Sequence, residues 1–236
     1  AQTALVLVNL GTPTAPEPGP VRAFLREFLS DRRVIEMSPL LWKPILEGII
    51  LRVRPREVAA KYRSIWMEEG SPLMHYTREQ ARRLGERLPG VRVEVAMRYG
   101  QPSIGSVLDC LHADGVRRVA ILPAYPQYAA STVTTINDAV AQWIGRNRDG
   151  FEMRLHRSFP AAPAYIEALA IALERHWERV GRPNFLTGDR VVVSFHSIPV
   201  AMDEAGDPYR AECRRTVAAL ESRLGLAMGS LTATFQ

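Results

Sequence analysis

Short apolar runs alternate with amphipathic segments along most of the chain. The apolar runs are rich in β-branched residues and have the length of buried strands. Strands that are buried on both faces read as continuous apolar runs, which is typical of parallel sheets. The pattern predicts strands at residues 4–10, 91–97, 119–122, 153–156, 191–195 and 231–236.

The segments between these runs carry apolar residues at helical spacing. Pro55 is predicted to separate two of the helices, and Thr77 is predicted to cap a later one. The predicted helices cover residues 21–29, 40–53, 56–66, 77–88, 103–113, about 132–146, 163–180 and about 208–224.

The alternation of strands and helices predicts an α/β fold with right-handed crossovers and parallel sheets. The length favours two doubly wound Rossmann-like halves, at residues 1–150 and 151–236. The strand pattern at 231–236 has no helix after it, so its sheet would stay uncovered. We therefore expect the second half to be incomplete here, with the C-terminal part of the natural protein missing.

Composition is that of an ordinary globular protein, with 47% hydrophobic residues and a formal charge of +5 over 236 residues. The mild excess of arginine suits an anionic ligand or a membrane surface, and no nucleic-acid-binding motif accompanies it. Cys110 and Cys213 form no C-x-x-C pair, so we expect reduced thiols in a cytoplasmic protein. The apolar stretch 40–53 is interrupted by charges and cannot span a membrane, but it leaves open a peripheral contact with the inner membrane.

The strand at 191–195 ends at His196, which Ser197 and Pro199 follow. In open α/β sheets, ligands bind outside the carboxyl ends of the strands, so His196 occupies a position where chemistry is usually done. The alternative is a histidine that only satisfies a backbone group of the loop. Position alone does not separate these two interpretations.

Six short motifs, in this order along the chain, resemble the ferrochelatase family, and the resemblance spans nearly all 236 residues. It implies a chelatase-type Rossmann-like fold and a lyase that inserts Fe(II) into protoporphyrin IX, giving protohaem. The motifs are Asn9-Leu-Gly-Thr-Pro13, Gly70-Ser-Pro72, Met97-Arg-Tyr-Gly100, Tyr125-Pro-Gln-Tyr128 with Ser131-Thr132, Ser194-Phe-His-Ser-Ile-Pro199, and Gly206-Asp-Pro-Tyr209.

The resemblance also implies roles for individual residues. His196 matches the family's active-site histidine, as general base, metal ligand or both. Without the match, the other matched residues would be interpreted as core, helix-face, turn or surface side chains, and Arg52 is an alternative to Arg54. The matched porphyrin-binding positions are Leu10, Arg54, Tyr62, Ser71, Arg98, Tyr99 and Tyr209.

Two family features have no counterpart in this sequence. The family carries a second metal ligand, a glutamate on a later helix, which we expect beyond Gln236, so residues 1–236 alone should be inactive. Some relatives bind a 2Fe–2S cluster, but Ala168 stands at the mid-chain ligand position and neither cysteine replaces it. We therefore expect no tightly bound cofactor and no iron–sulfur cluster, with Fe(II) and the porphyrin as substrates and either a monomer or a homodimer.

Three alternatives remain open at this stage. The substrate could be coproporphyrin III, the enzyme could be a chelatase for a sirohydrochlorin-type ring, or the protein could bind tetrapyrroles without catalysis. The preference for protoporphyrin IX rests on the wording of Met97–Gly100 and Trp66–Pro72, which resembles Gram-negative members of the family.

Overall fold

The computed structural model describes residues 2–236, which form two compact units. The chain up to Ala124, together with Ala130–Arg157, makes up the first unit, and Tyr125–Ala129 with Ser158–Gln236 makes up the second. Both units contain parallel strands connected through helices, which confirms the predicted α/β class.

The first unit contains a four-stranded parallel sheet. Its strands are β1 (Thr3–Gly11), β2 (Val91–Tyr99), β3 (Arg118–Pro123) and β4 (Glu152–Leu155). The order across the sheet is β2-β1-β3-β4. In the central strand, Ala4, Val6 and Val8 are fully buried, as the continuous apolar run predicts. Because all the strands are parallel, their carboxyl ends lie at one edge of the sheet.

Helices pack around this sheet, and one of them carries the matched residues Arg54 and Tyr62. A π-helical segment, Leu46–Ile50, joins the second helix to the third, and another, Ala130–Thr134, precedes the sixth. The α-helices of the first unit are α1 (Pro18–Leu29), α2 (Pro39–Ile45), α3 (Leu51–Ile65), α4 (Pro72–Arg87), α5 (Ile104–Ala113) and α6 (Thr135–Arg146).

The second unit is built on a parallel pair of strands, β5 (Val191–Phe195) and β6 (Leu231–Phe235). Its helices are α7 (Pro163–Val180), α8 (Val200–Glu204) and α9 (Tyr209–Arg223), with a short 3-10 turn at Phe185–Thr187. Apolar side chains of α7, α9 and β6 form one cluster, which includes Ile166, Trp177, Leu220 and Leu231.

Two helix boundaries predicted from the sequence were wrong. Pro55 does not end a helix but lies inside α3, where it removes one backbone hydrogen bond. The helix continues because Leu51, Pro55 and Ala59 form a buried stripe along one face. Likewise α4 begins at Pro72, a favourable first helical residue, and Thr77 lies within it, where its hydroxyl donates to the Leu73 carbonyl at 2.6 Å.

The weak strand pattern near residue 153 belongs to the first unit. The sequence-based division assigned residues 151–236 to the second half, but β4 pairs along its length with β3, from Arg118↔Glu152 to Ile121↔Leu155. A four-residue strand gains its stability from this ladder, so it stays with the sheet that it extends.

Candidate functional site

His196 follows directly after β5, at the carboxyl end of the two-stranded sheet. The neighbouring strand fixes the backbone on both sides of it. The Gln236 N–H donates to the Phe195 carbonyl at 3.0 Å, and the Ser197 N–H donates to the Gln236 carbonyl at 2.9 Å. The His196 side chain is exposed. An imidazole on a fixed strand end can exchange a proton or bind a metal ion without movement of the backbone.

Tyr209, the first residue of α9, lies beside His196 within the second unit. Burial raises the pKa of the Tyr209 hydroxyl above its ordinary value, the adjacent Cys213 thiol raises it further, and the His196 backbone N–H offsets part of this rise. The Tyr209 ring contacts Phe235 edge-on, with centroids 6.4 Å apart, and Phe235 in turn lies 5.9 Å from the ring of Phe195. Tyr209 therefore packs on the strand ends that hold the histidine.

The buried face of α9 also holds the Tyr125–Ala129 segment. The Glu212 carboxylate is 3% exposed and accepts the Tyr128 backbone N–H at 2.7 Å. The Thr216 hydroxyl accepts the Gln127 side-chain amide at 2.8 Å. Buried polar groups are costly unless they are hydrogen-bonded, so these pairs fix the segment against the helix.

The two cysteines differ in their surroundings, Cys110 being exposed and Cys213 buried. Cys110 and Cys213 are both free thiols. Burial raises the pKa of Cys213 to about 11, so its thiol stays protonated near neutral pH. Ala168, exposed on α7, offers no ligand atom. From residue 2 to residue 236, no three or more His, Cys, Asp or Glu side chains form a group that could hold a metal ion.

In the first unit, Leu10 and Tyr62 pack against the same hydrophobic cluster. The Leu10 N–H donates to the Asn9 side-chain oxygen at 2.8 Å. Burial raises the pKa of Tyr62, and the nearby Thr12 hydroxyl offsets part of this rise. The Tyr62 ring meets Trp66 edge-on, with centroids 6.1 Å apart. Leu10 and Tyr62 therefore pack on the same hydrophobic cluster.

Ser71 caps α4 and lines a pocket of about 510 Å³. Its hydroxyl accepts the Met74 N–H at 3.2 Å. The pocket lies beyond the carboxyl ends of β1 and β2, where open α/β sheets bind ligands. It combines apolar walls with polar groups, one cation and one carboxylate, and its lining includes Thr12, Trp66, Glu69, Met74, Arg78 and Gln101.

Arg98 and Tyr99 end β2 and meet at a largely shielded carboxylate, that of Asp31, which could not be found from the sequence. Tyr99 is fully buried, and its hydroxyl donates to Asp31 Oδ2 at 2.9 Å. Arg98 Nη2 and the Thr135 hydroxyl donate to the same oxygen, each at 2.5 Å. Burial alone would raise the pKa of Asp31. The hydrogen bonds from Thr135, the Arg33 backbone and Tyr99, together with the Arg98 charge, outweigh burial and hold that pKa below its usual value.

The matched residues of the first unit do not all lie in one place. Within the first unit, Leu10 and Tyr62 share the hydrophobic cluster, and Ser71 lines the pocket that Trp66 borders. Tyr99 is itself a buried member of that cluster, and its hydroxyl and the Arg98 guanidinium both donate to Asp31. The guanidinium groups of Arg52 and Arg54 are exposed on α3, so the choice between these two arginines stays open.

Comparisons with known proteins give a consistent result. A family model described as Ferrochelatase matches residues 2–236. The chain is 48% identical to a ferrochelatase of Methylibium petroleiphilum over 99% of its length, and 46% identical to one from an Azoarcus species over all of it. It spans 64% of the length of each of these two relatives.

The fold also resembles a solved structure described as SirB from Bacillus subtilis with Fe3+. The TM-score is 0.55 at 10% sequence identity, covering 100% of this chain and 66% of that one. At such low identity the likeness supports the chelatase-type Rossmann-like fold. The match of the family model over residues 2–236, together with these relatives, shows that the chain belongs to the ferrochelatase family.

Proposed function

We propose that the full-length protein inserts Fe(II) into protoporphyrin IX, releasing the two pyrrole protons and giving protohaem. The observation that carries this proposal is the exposed His196 at the fixed carboxyl end of β5, in a chain that belongs to the ferrochelatase family. Activity and substrates are proposed for the whole protein because residues 1–236 span about two thirds of the length of its relatives.

The chemistry of metallation explains the value of a histidine at this position. Each porphyrin must lose two pyrrole protons as it gains the metal, and a flat ring hides its nitrogen lone pairs. Neutral imidazole is a base near pH 7 and a ligand for Fe(II), so His196 can take a pyrrole proton, deliver the metal, or do both. We propose that a glutamate outside residues 1–236 supplies the second ligand, and that residues 1–236 alone do not metallate porphyrin.

Residues of the first unit are proposed to bind the porphyrin. The pocket beside Ser71 supports this proposal because it offers hydroxyl groups and the Arg78 guanidinium, which suit the carboxylate of a propionate side chain. The Glu69 carboxylate also lines the pocket, so a propionate would lie on the Arg78 side. Leu10 and Tyr62 provide apolar surface for a flat macrocycle. Holding the ring in a bent conformation would lower the barrier to metallation by about 1–5 kcal/mol.

The proposal is tested by anaerobic incubation of the full-length protein with Fe(II) and each of three tetrapyrroles. We expect the free-base absorbance of protoporphyrin IX to be lost fastest, that of coproporphyrin III more slowly, and that of sirohydrochlorin not at all. Metallation of sirohydrochlorin alone would contradict the proposal, as would tight porphyrin binding without metallation. Faster turnover of coproporphyrin III would overturn the assignment of protoporphyrin IX.

We also propose a peripheral membrane contact through α2, the π-helical segment and α3. Leu40 is 87% exposed, Leu41 66% and Val53 67%, which is unusual for large apolar side chains in one region. Lys43 and Arg52 stand exposed among them, so apolar insertion and attraction to anionic lipid headgroups could act together. Within residues 2–236, no helix has both the length and the apolarity needed to cross a bilayer.

Flotation with vesicles of phosphatidylethanolamine and phosphatidylglycerol tests this contact. We expect the full-length protein to float with these vesicles, and the double variant Leu40→Ser/Leu41→Ser to lose most of that binding because apolar burial is removed. Leu186→Ser is the matched control, since Leu186 is 98% exposed but lies in the second unit. Equal flotation of the wild type and the double variant would contradict the proposal.

A further inference from the structure

Asp31 connects three parts of the first unit through a single carboxylate oxygen. It lies just after α1, whereas its partners Arg98 and Tyr99 end β2, and Thr135 begins α6. All three side chains donate to Asp31 Oδ2, at 2.5, 2.9 and 2.5 Å respectively. The side chains of Asp31 and Arg98 are only 10% and 19% exposed, so this ion pair is largely shielded from solvent.

The same residue shapes the turn that leads toward α2 and α3. Its second carboxylate oxygen accepts the Arg33 N–H at 2.7 Å. Its backbone carbonyl accepts the N–H groups of Val34 and Ile35, at 3.0 and 2.9 Å. Asp31 therefore fixes both the end of β2 and the start of the segment that carries the matched residues Arg54 and Tyr62.

The guanidinium of Arg98 is committed to the interior of the unit. Its Nε donates to the Thr135 carbonyl at 2.9 Å and to the Thr135 hydroxyl, and its Nη2 donates to Asp31. Its central carbon lies 4.4 Å from the centre of the Tyr99 ring. A bidentate bond to a carboxylate uses two adjacent N–H groups of the guanidinium, and the Nε/Nη2 edge of Arg98 is already occupied.

We infer that Asp31 is a positioning residue for porphyrin binding, acting through Arg98 and Tyr99, and that Arg98 shapes the site without binding a propionate. The inference rests on the proposed function, because it names how part of the porphyrin-binding unit is kept in place. It gives a role to Asp31, which lies in none of the six sequence motifs. It also makes Arg98 a residue that positions the porphyrin-binding site, and no longer one that binds a propionate.

A double-mutant cycle in the full-length protein tests the inference. We expect Asp31→Asn and Arg98→Met each to raise the KM for porphyrin about 10-fold, and the double variant to raise it no further, because both changes break the same contact. A purely structural role would lower the amount of active protein and leave the KM unchanged. The inference would be overturned if the KM increase of the double variant equalled the product of the two single increases. An unchanged KM in Asp31→Asn would overturn it too.

The propionate question has its own readout. The rise in KM caused by Arg98→Met should be the same for protoporphyrin IX and for its dimethyl ester, since the inference gives Arg98 no bond to the carboxylates. A rise confined to the free dicarboxylate would assign Arg98 as a ligand and overturn that part. Thr135→Val, which removes the hydroxyl shared by Asp31 and Arg98, should raise the KM in the same direction and serves if Asp31→Asn does not fold.

Asp138→Asn is the matched control. Asp138 lies close to Thr135 in α6, but it pairs with Arg33 at 2.9 Å on an exposed surface. Its loss should change the KM less than about 2-fold, as is usual for exposed ion pairs. If the wild type binds porphyrin without metallating it, the proposed function is wrong. The role of Asp31 can still be decided in that case, by measuring porphyrin dissociation constants instead of KM for the same four proteins.

Discussion

Replacing His196 by alanine is expected to abolish metallation in the full-length protein while porphyrin binding survives. Loss of a positioned general base costs roughly 10²- to 10⁴-fold in rate, and loss of a metal ligand would add to this. The fold should be unaffected, because the side chain is exposed and the backbone bonds to Gln236 do not involve the imidazole. Initial rates of anaerobic metallation and porphyrin dissociation constants, measured on the same preparation, check both expectations.

His176→Ala provides the control for this experiment. His176 is exposed on α7, in the same unit as His196, and has no proposed role. Its variant should metallate porphyrin at the wild-type rate. Turnover of His196→Ala at the wild-type rate would remove the histidine from the mechanism, and loss of porphyrin binding would show that it acts in recognition.

Replacing Gly11 by alanine is expected to destabilise the first unit by about 3–5 kcal/mol. Gly11 ends β1 with φ of +118°, a conformation that residues with a side chain rarely adopt. An added Cβ would lie 1.8 Å from the Tyr99 carbonyl oxygen, on the strand that pairs with Gly11 in register. The clash involves backbone on both sides, so rotation of a side chain cannot relieve it. Urea unfolding of the full-length variant measures the loss.

Gly145→Ala is the matched substitution. Gly145 lies in α6 without a positive φ, and an added Cβ there would meet no atom within 4 Å. Helix propensity predicts a gain of about 0.5–1 kcal/mol. A destabilisation of Gly11→Ala no larger than about 1 kcal/mol, on the scale of an ordinary substitution, would contradict the strand-end geometry.

The strands were predictable because burial on two faces leaves an apolar run that needs no knowledge of the partner strand. Val6 and Val8 stand in such a run, and they are fully buried. The boundaries were less predictable. Whether Pro55 ends a helix depends on the packing of the turns on either side of it, and its burial beside Leu51 and Ala59 keeps α3 continuous.

The hydrogen bonds around Asp31 show why part of the site could not be found in the sequence. Its partners Arg98 and Thr135 lie 67 and 104 residues away along the chain. No local pattern couples residues at such separations, and a polar residue just after a helix is usually interpreted as part of a solvated turn. The motif containing Arg98 could be recognised by resemblance, but its commitment to Asp31 follows only from three-dimensional packing.

Sequence did identify His196, for a reason that is physical as well as comparative. A strand of β-branched residues that stops at a histidine before a proline places an imidazole at a sheet edge, and the structure has it there, exposed. Tyr209 was matched by resemblance, and its packing beside the same strand ends came from the structure. The position of His196 at the strand end could thus be predicted, whereas the side-chain contacts that stabilise this strand end could not.

The central claim, that the full-length protein metallates a porphyrin with His196 at the reacting centre, is tested most directly by counting protons. In weakly buffered anaerobic solution with Fe(II), we expect the loss of free-base protoporphyrin IX to be accompanied by release of both pyrrole protons for every haem formed. We also expect His196→Ala to give neither signal while still binding the porphyrin. Persistence of the free-base spectrum in wild-type protein saturated with porphyrin and Fe(II) would show that the protein does not metallate this porphyrin.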